Sequence, residues 1–254
     1  MNRITYGLEG KVVVVTGGSR GIGLELTRKL LEEKAKVVIC GRKKENLDTA
    51  EQTLGAGGGL LTVVAHIAKE EDVDRLFEAV MSTFPRVDVL INNVGMNLMT
   101  PSTSDADVAQ WQKIIETNLT GTFICSRKAA AIMKQQKSGK IINISSIAGR
   151  KASPGMGIYG IAKAGVEMMT RVMAAELAPY NIQVNAVAPA MVRTDFSKPF
   201  WSNKDIHDHV TRGIPMGRIA EPLEVVHPVL FLASEGSSFI TGQTIVVDGG
   251  STSV

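Results

Sequence analysis

Seven short runs of apolar, largely β-branched residues recur along the chain, at 12–16, 36–40, 60–65, 87–92, 140–145, 183–188 and 244–247. Each of the six intervals holds a helix-length segment, at 22–34, 44–54, 70–84, 105–137, 157–179 and 222–233. Most of the runs are apolar almost throughout instead of alternating, as strands are when helices cover both of their faces. Strand–helix alternation of this kind predicts right-handed crossovers and an α/β fold with a parallel, doubly wound sheet. A chain of 254 residues leaves room for one or two domains. No Pro/Ser-rich linker, charge block or internal repeat divides it, and 55–59 reads as a loop, so 1–254 is expected to be one domain.

Composition narrows the function classes. A formal charge of +3 is too slight to imply a nucleic-acid or membrane surface. Two cysteines, Cys40 and Cys125, suit neither a disulfide framework nor a cysteine zinc site, which points to a reducing cytoplasm. The N-terminus lacks the apolar core of a signal peptide, and no apolar run approaches the roughly 18 residues of a membrane span. His207 and His209 are two apart, which on a helix turns them in different directions, so no metal is expected. His227 reads as a packed or interface histidine.

One segment breaks the rhythm. Residues 194–222 carry no strand signal but hold Phe196, Phe200, Trp201, Ile206 and Met216. The segment is either a small helical excursion packed on the body or a lid over the C-terminal ends of the strands, where open α/β sheets bind ligands. Long excursions in compact domains are often functional, which favours the lid.

The first run leads into Thr16-Gly17-Gly18-Ser19-Arg20-Gly21-Ile22-Gly23 and then a helix. Glycines there let backbone approach a pyrophosphate, and the helix N-terminus offers free N–H groups with a partial positive charge. The spacing is G-x-x-x-G-x-G, one residue longer than G-x-G-x-x-G. An acidic residue ending the second strand would bind the ribose 2′-hydroxyl of NAD. Here that strand ends Cys40-Gly41-Arg42-Lys43-Lys44. Arg42, with Arg20, is placed to clamp a 2′-phosphate by charge-assisted hydrogen bonds, which predicts NADP(H).

Downstream, Tyr159 and Lys163 lie four apart at the start of a predicted helix and so share one face. Ser146 ends the fifth strand, 159 − 146 = 13 residues before Tyr159. A tyrosine, with a reference pKa of about 10, is a poor acid–base catalyst unless its surroundings help. A nearby ammonium favours the phenolate, and a serine hydroxyl can hold a carbonyl oxygen on which charge develops.

With these motifs in order, the chain resembles the short-chain dehydrogenase/reductase family over essentially its whole length. The resemblance rests on the Thr16–Gly23 loop, Asn92-Asn93-Val94-Gly95, Asn118, Ser146, Tyr159-x-x-x-Lys163 and Asn185-x-x-x-Pro189. It implies a Rossmann-type domain with seven parallel strands, a bound nicotinamide dinucleotide and a homotetramer. By position it makes Tyr159 the general acid for carbonyl reduction, with Lys163 lowering its pKa and holding the nicotinamide ribose. Ser146 would orient the carbonyl, and Asn118 would hold a water linking Lys163 to solvent. The cofactor would further meet Gly17, Ser19, Gly21, Ile22, Gly23, Asn93, Gly95, Pro189, Val192 and Thr194. Arg20 and Arg42 match the family's NADP-preferring members. Helix 105–137, with Trp111, would pair with the Tyr-Lys helix across a two-fold axis.

Three positions depart from the family pattern. His66-Ile67 stands where relatives carry an Asp that holds the adenine amino group, and His66 is expected to accept that hydrogen bond instead. Val94 replaces an Ala and Ala190 a Gly, which restricts the backbone there.

For the substrate, Met96, Met99, Met156, Met191 and Met216 are five of the 11 methionines and fall in loops expected at one sheet edge. With Phe196, Phe200 and Trp201 they predict an apolar, adaptable pocket and a hydrophobic ketone or aldehyde. A second reading is 3-oxoacyl-[acyl-carrier-protein] or acyl-CoA reduction. Lys134 and Lys137 would serve carrier docking, but Ala178-Pro179-Tyr180-Asn181 supplies no base. A third, of another class, is a non-catalytic NADP-sensing protein, against which the presence of Ser146, Tyr159 and Lys163 argues.

Overall fold

The structure is a computed structural model that describes residues 5–55 and 58–253. The expected loop at 55–59 lies partly outside the described residues, as do the first four. Seven strands form one parallel sheet in the order β3-β2-β1-β4-β5-β6-β7. They are β1 Val12–Thr16, β2 Lys36–Gly41, β3 Leu60–Val64, β4 Val89–Asn92, β5 Gly139–Ile144, β6 Ile182–Pro189 and β7 Thr244–Val247. The helices are α1 Gly21–Glu32, α2 Lys44–Leu54, α3 Glu70–Thr83, α4 Val108–Ile115, α5 Gly121–Gln136, α6 Gly157–Leu177, α7 Lys198–Trp201, α8 Lys204–Arg212 and α9 Pro222–Ala233.

Strand pleating sorts the core into two layers, because successive side chains point to opposite faces. Val13, Val15, Val37, Ile39 and Ile91 pack with Leu26 and Leu30 of α1, Leu47 of α2, and Val225 and Val229 of α9. Val12, Val14, Val38, Leu90 and Ile141 pack with Val73, Leu76 and Val80 of α3, Cys125 and Met133 of α5, and Ala174 of α6. This two-sided cover is why the strands read as continuous apolar runs. Among the described residues no helix is long and apolar enough to cross a membrane.

Topology also sets where a site can form. Thr16 pairs with Cys40 on one side and Asn92 on the other, so β1, β2 and β4 end level. Chain order reverses at β1, and the loops leaving these strands open a crevice at one sheet edge.

Two elements differ from expectation for identifiable reasons. The strand expected from 87 starts at Val89, because Gln136 hydrogen-bonds both the N–H (2.9 Å) and the carbonyl (2.8 Å) of Val87. The single helix expected over 105–137 starts at Val108 and is split by a π-helical turn, Glu116–Thr120. Asp107 caps its start through Gln110 N–H at 2.6 Å. Such turns leave carbonyls without their usual partners and recur at functional sites. Here the Asn118 amide nitrogen donates to Ile114 C=O at 2.9 Å.

The excursion at 194–222 is helical, built from the 3₁₀ turn Asp195–Ser197, α7 and α8. Its two ends are tied together where Ala220 N–H donates to Met191 C=O (3.0 Å) and Arg193 N–H to Ala220 C=O (2.8 Å). His227 lies at the surface, with its Nδ1 on the Tyr6 hydroxyl at 2.7 Å, so it packs within the chain by tying the N-terminal segment to α9.

Candidate active site

The loop after β1 is held from both sides. Asn93, at the end of β4, donates through its side chain to Thr16 C=O (3.1 Å) and Gly17 C=O (3.2 Å), and its N–H reaches the Thr16 hydroxyl at 3.0 Å. A Cβ at Gly23 would lie 2.2 Å from the Gly17 carbonyl oxygen and 2.6 Å from the Asn93 side chain, so only glycine lets α1 approach this closely. Arg20, extended before the first turn, makes no side-chain cap on α1 and leaves the helix N-terminus open. Gly23→Ala is therefore expected to destabilise the fold by about 1–3 kcal/mol, measured by urea unfolding, and to weaken dinucleotide binding.

Ser19 turns towards β2, with its hydroxyl oxygen 3.6 Å from where a Gly41 Cβ would sit. Arg20 and Arg42 flank this contact, are exposed, and are in no ion pair among the described residues. A pyrophosphate cradle at a helix N-terminus, with two uncommitted guanidinium groups beside the end of β2, fits NADP(H). Thr194 reaches the same loop, its Cγ2 being 3.4 Å from a Cβ position at Gly21.

His66 is held by its own segment. Its Nδ1 accepts the Ala68 N–H at 3.2 Å, while Asp72 takes the His66 N–H at 2.7 Å. In the neutral ring the proton then sits on Nε2, which donates and does not accept. Nε2 is then the ring nitrogen left for any further partner. Ile67 beside it is buried against Gly121.

At the end of β5, Ser146 accepts the Ala148 N–H through its hydroxyl at 3.2 Å and stands near enough to the Tyr159 phenol to lower its pKa. Lys163 is 2 % exposed, and its ammonium donates to Ile144 C=O at 2.8 Å, 5.6 Å from the Tyr159 ring centroid. Sequence reasoning missed the Ile144 carbonyl, since a backbone acceptor leaves no residue signal. Asn118 accepts the Met96 N–H (3.2 Å) and donates to Met96 C=O (2.7 Å). A Cβ at Gly95 would lie 3.6 Å from the Asn118 oxygen and 3.8 Å from the Lys163 nitrogen, so both groups border one space beside that glycine.

Burial decides the charge states here. It pushes the Tyr159 phenol up to about 12 and pushes Lys163 down to about 8. In the free protein burial dominates the Tyr159 phenol, and Ser146 supplies the opposing influence. The phenol is therefore a protonated donor at neutral pH. Cys40, also buried, is pushed up to about 12, away from nucleophilic use.

The pocket residues fall into separate groups. Met96 packs with the Tyr159 cluster, and the Phe196 ring lies 6.5 Å from that of Tyr159. Met156 immediately precedes α6, and Phe200 is half-buried in α7. Met191 and Met216 instead line an open cleft with Ile214 and Val247, towards β7. Trp201 points back to the root of the excursion, donating to the Ser197 hydroxyl at 3.0 Å under the Arg193 guanidinium.

Known proteins resemble this chain in sequence and fold. The family model described as enoyl-(acyl carrier protein) reductase matches residues 17–252. Dehydrogenase/reductase SDR family member 4 of Sus scrofa is 34% identical over 97% of this chain and 88% of its own. A 3-oxoacyl-[acyl-carrier-protein] reductase of Synechocystis is 37% identical over 96% of this chain and 97% of its own. Among solved structures, a candidate gluconate dehydrogenase from Agrobacterium tumefaciens superposes with a TM-score of 0.94 at 34% identity, covering 99% of this chain and 100% of that one. ElxO with NADP bound gives 0.92 at 31% identity, covering 96% of this chain and all of that one. On its Rossmann-type sheet, its motifs and these likenesses, the chain belongs to the short-chain dehydrogenase/reductase family of oxidoreductases.

Proposed function

We propose that the protein reduces a hydrophobic ketone or aldehyde to an alcohol with NADPH. The observation that carries this reading is the buried, protonated Tyr159 hydroxyl, with Ser146 near enough to lower its pKa and the Lys163 ammonium 5.6 Å from its ring centroid. When bound, the nicotinamide supplies the hydride. Ser146 orients the carbonyl oxygen, Tyr159 gives that oxygen its proton, and the Lys163 ammonium stabilises the phenolate left behind. Asn118 supports proton return at the space it shares with Lys163. Arg20 and Arg42 hold the 2′-phosphate, Ser19, Ile22 and the loop glycines hold the pyrophosphate, and His66 and Ile67 border the adenine. Asn93, Gly95, Pro189, Val192 and Thr194 complete the cofactor wall. Phe196, Phe200, Met96 and Met156 face the substrate, with residues 194–222 as its lid. Met191 and Trp201 act from the lid's root.

The site also predicts a pH dependence. kcat/KM reports the groups of the free enzyme, where Lys163 stands at about 8 and Tyr159 at about 12. Tyr159 stays protonated across the working range, whereas Lys163 loses its charge as pH rises through about 8. Reduction is expected to be level up to about pH 8 and to fall above it. A pH–rate profile checks this, and Lys163→Ala should abolish that limb.

Acyl-carrier-thioester reduction is the second reading, favoured by the Synechocystis likeness. An NADPH-consumption screen over apolar ketones, aldehydes, quinones, sugar acids and 3-oxoacyl thioesters separates the readings. Turnover of apolar ketones above sugar acids supports the first, and carrier thioesters far above free ketones support the second. NADPH binding without turnover across the panel points to a sensor. The protein works in the cytoplasm as a homotetramer in this reading. Exposed Trp111 on α4, Phe123 on α5, and Met168 and Val172 on α6 supply apolar surface for subunit contacts.

A further inference from the structure

Glu167 lies two turns after Tyr159 and one after Lys163, on the same buried face of α6. It is 4 % exposed and plays no part in the proton transfer proposed above. Its carboxylate accepts the Ser145 hydroxyl at 3.1 Å, and the Arg150 Nε–H at 3.1 Å on each oxygen. Ser145 also reaches Lys163 C=O at 3.3 Å. These two partners bracket Ser146, one directly before it and one just after the 3₁₀ turn Ile147–Gly149.

We propose that Glu167 is a positioning residue which, through Ser145 and Arg150, clamps the Ser146 segment onto the helix that carries Tyr159 and Lys163. The backbone is built for such close seating. A Cβ at Gly149 would lie 2.7 Å from Ala164 N, so the turn rests directly on α6. Ser145 is fixed from behind by its own N–H on Val187 C=O at 2.8 Å. The Arg150–Glu167 pair ties the far end of residues 146–150 to α6 and so opposes any swing of the segment away from it. The carboxylate is buried while the Arg150 side chain is 36% exposed, so the arginine can be removed without opening the core.

The inference rests on the carbonyl-reductase reading, in which Ser146 must meet the same oxygen as Tyr159. Arg150→Ala and Glu167→Gln are expected to lower kcat on the order of ten- to a hundredfold, as small misplacements of reacting groups do. KM and the NADPH dissociation constant should stay within about twofold, and Arg150→Lys should recover most of the rate by restoring the ion pair. In a Ser146→Ala background, Arg150→Ala should cost nothing further, because both act through the same hydroxyl. Full activity of Arg150→Ala, or a loss that adds to that of Ser146→Ala, would overturn the brace. The crystal structure of Arg150→Ala decides the point without substrate. The proposal expects residues 146–150 moved away from α6 relative to the wild type, and an unmoved segment contradicts it. If the wild type reduced no carbonyl, the functional reading would fail, while this structural test of the brace would still stand.

Discussion

Tyr159→Phe is expected to lower kcat for carbonyl reduction by about 10²–10⁴-fold, the range associated with removing a general acid. The change deletes one oxygen and keeps the ring, so packing around Ile114, Ile158 and Ala162 is preserved. NADPH affinity is expected to change by less than about threefold, because the 2′-phosphate and pyrophosphate contacts lie elsewhere. Ser146→Ala should fall short of this, by about 10²–10³-fold, since it removes an orienting donor and leaves the proton source. Lys163 stays cationic below about pH 8 in either variant, so the two losses should be measured at neutral pH. Steady-state rates with a reactive ketone, beside fluorescence titration of NADPH, separate a chemical defect from a binding defect.

Arg42→Asp is expected to weaken NADPH binding by about a hundredfold or more while strengthening NADH. A hydrogen bond to a charged group contributes roughly 1.5–3 kcal/mol, so loss of the guanidinium alone accounts for about ten- to a hundredfold. The new carboxylate adds repulsion towards a phosphate and can bind a ribose hydroxyl instead. Arg42 makes no ion pair among the described residues, so the change costs the fold little. Arg20→Ala should weaken NADPH alone, without the gain for NADH. Raising the salt should narrow the difference between wild type and Arg42→Asp, since both arginines are exposed. Unchanged NADPH affinity in Arg42→Asp would contradict the cofactor assignment.

The fold was legible because its strands are buried on both faces and its crossovers are helical, which leaves a strong alternating pattern. The start of β4 was not legible, because it depends on the Gln136 side chain standing in for a strand neighbour at Val87. Nor was the π-turn at 116–120, where Asn118 hydrogen-bonds Met96 in another segment as well as Ile114 one turn back. At the site, Ser146, Tyr159 and Lys163 were readable from spacing, and the structure brings them together. Their charge states were not, because desolvation at Tyr159 and Lys163 depends on three-dimensional burial. His66 shows the same limit: its place is readable, but its donor direction depends on which ring nitrogen Ala68 occupies. The methionines carried less positional information, since Met96 packs with the Tyr159 cluster while Met191 lines a cleft towards β7. Glu167 carried a usable signal in its i+4 spacing from Lys163, but its partners lie in another segment.

The most direct measurement of the central claim follows one atom. Wild-type protein is incubated with an apolar ketone and NADPH carrying deuterium at both C4 positions of the dihydronicotinamide, and the alcohol is analysed by mass spectrometry. The account predicts one deuterium per molecule on the carbinol carbon, and loss of nearly all labelled product with Tyr159→Phe. Unlabelled alcohol, or labelled alcohol formed at the wild-type rate by Tyr159→Phe, would contradict it.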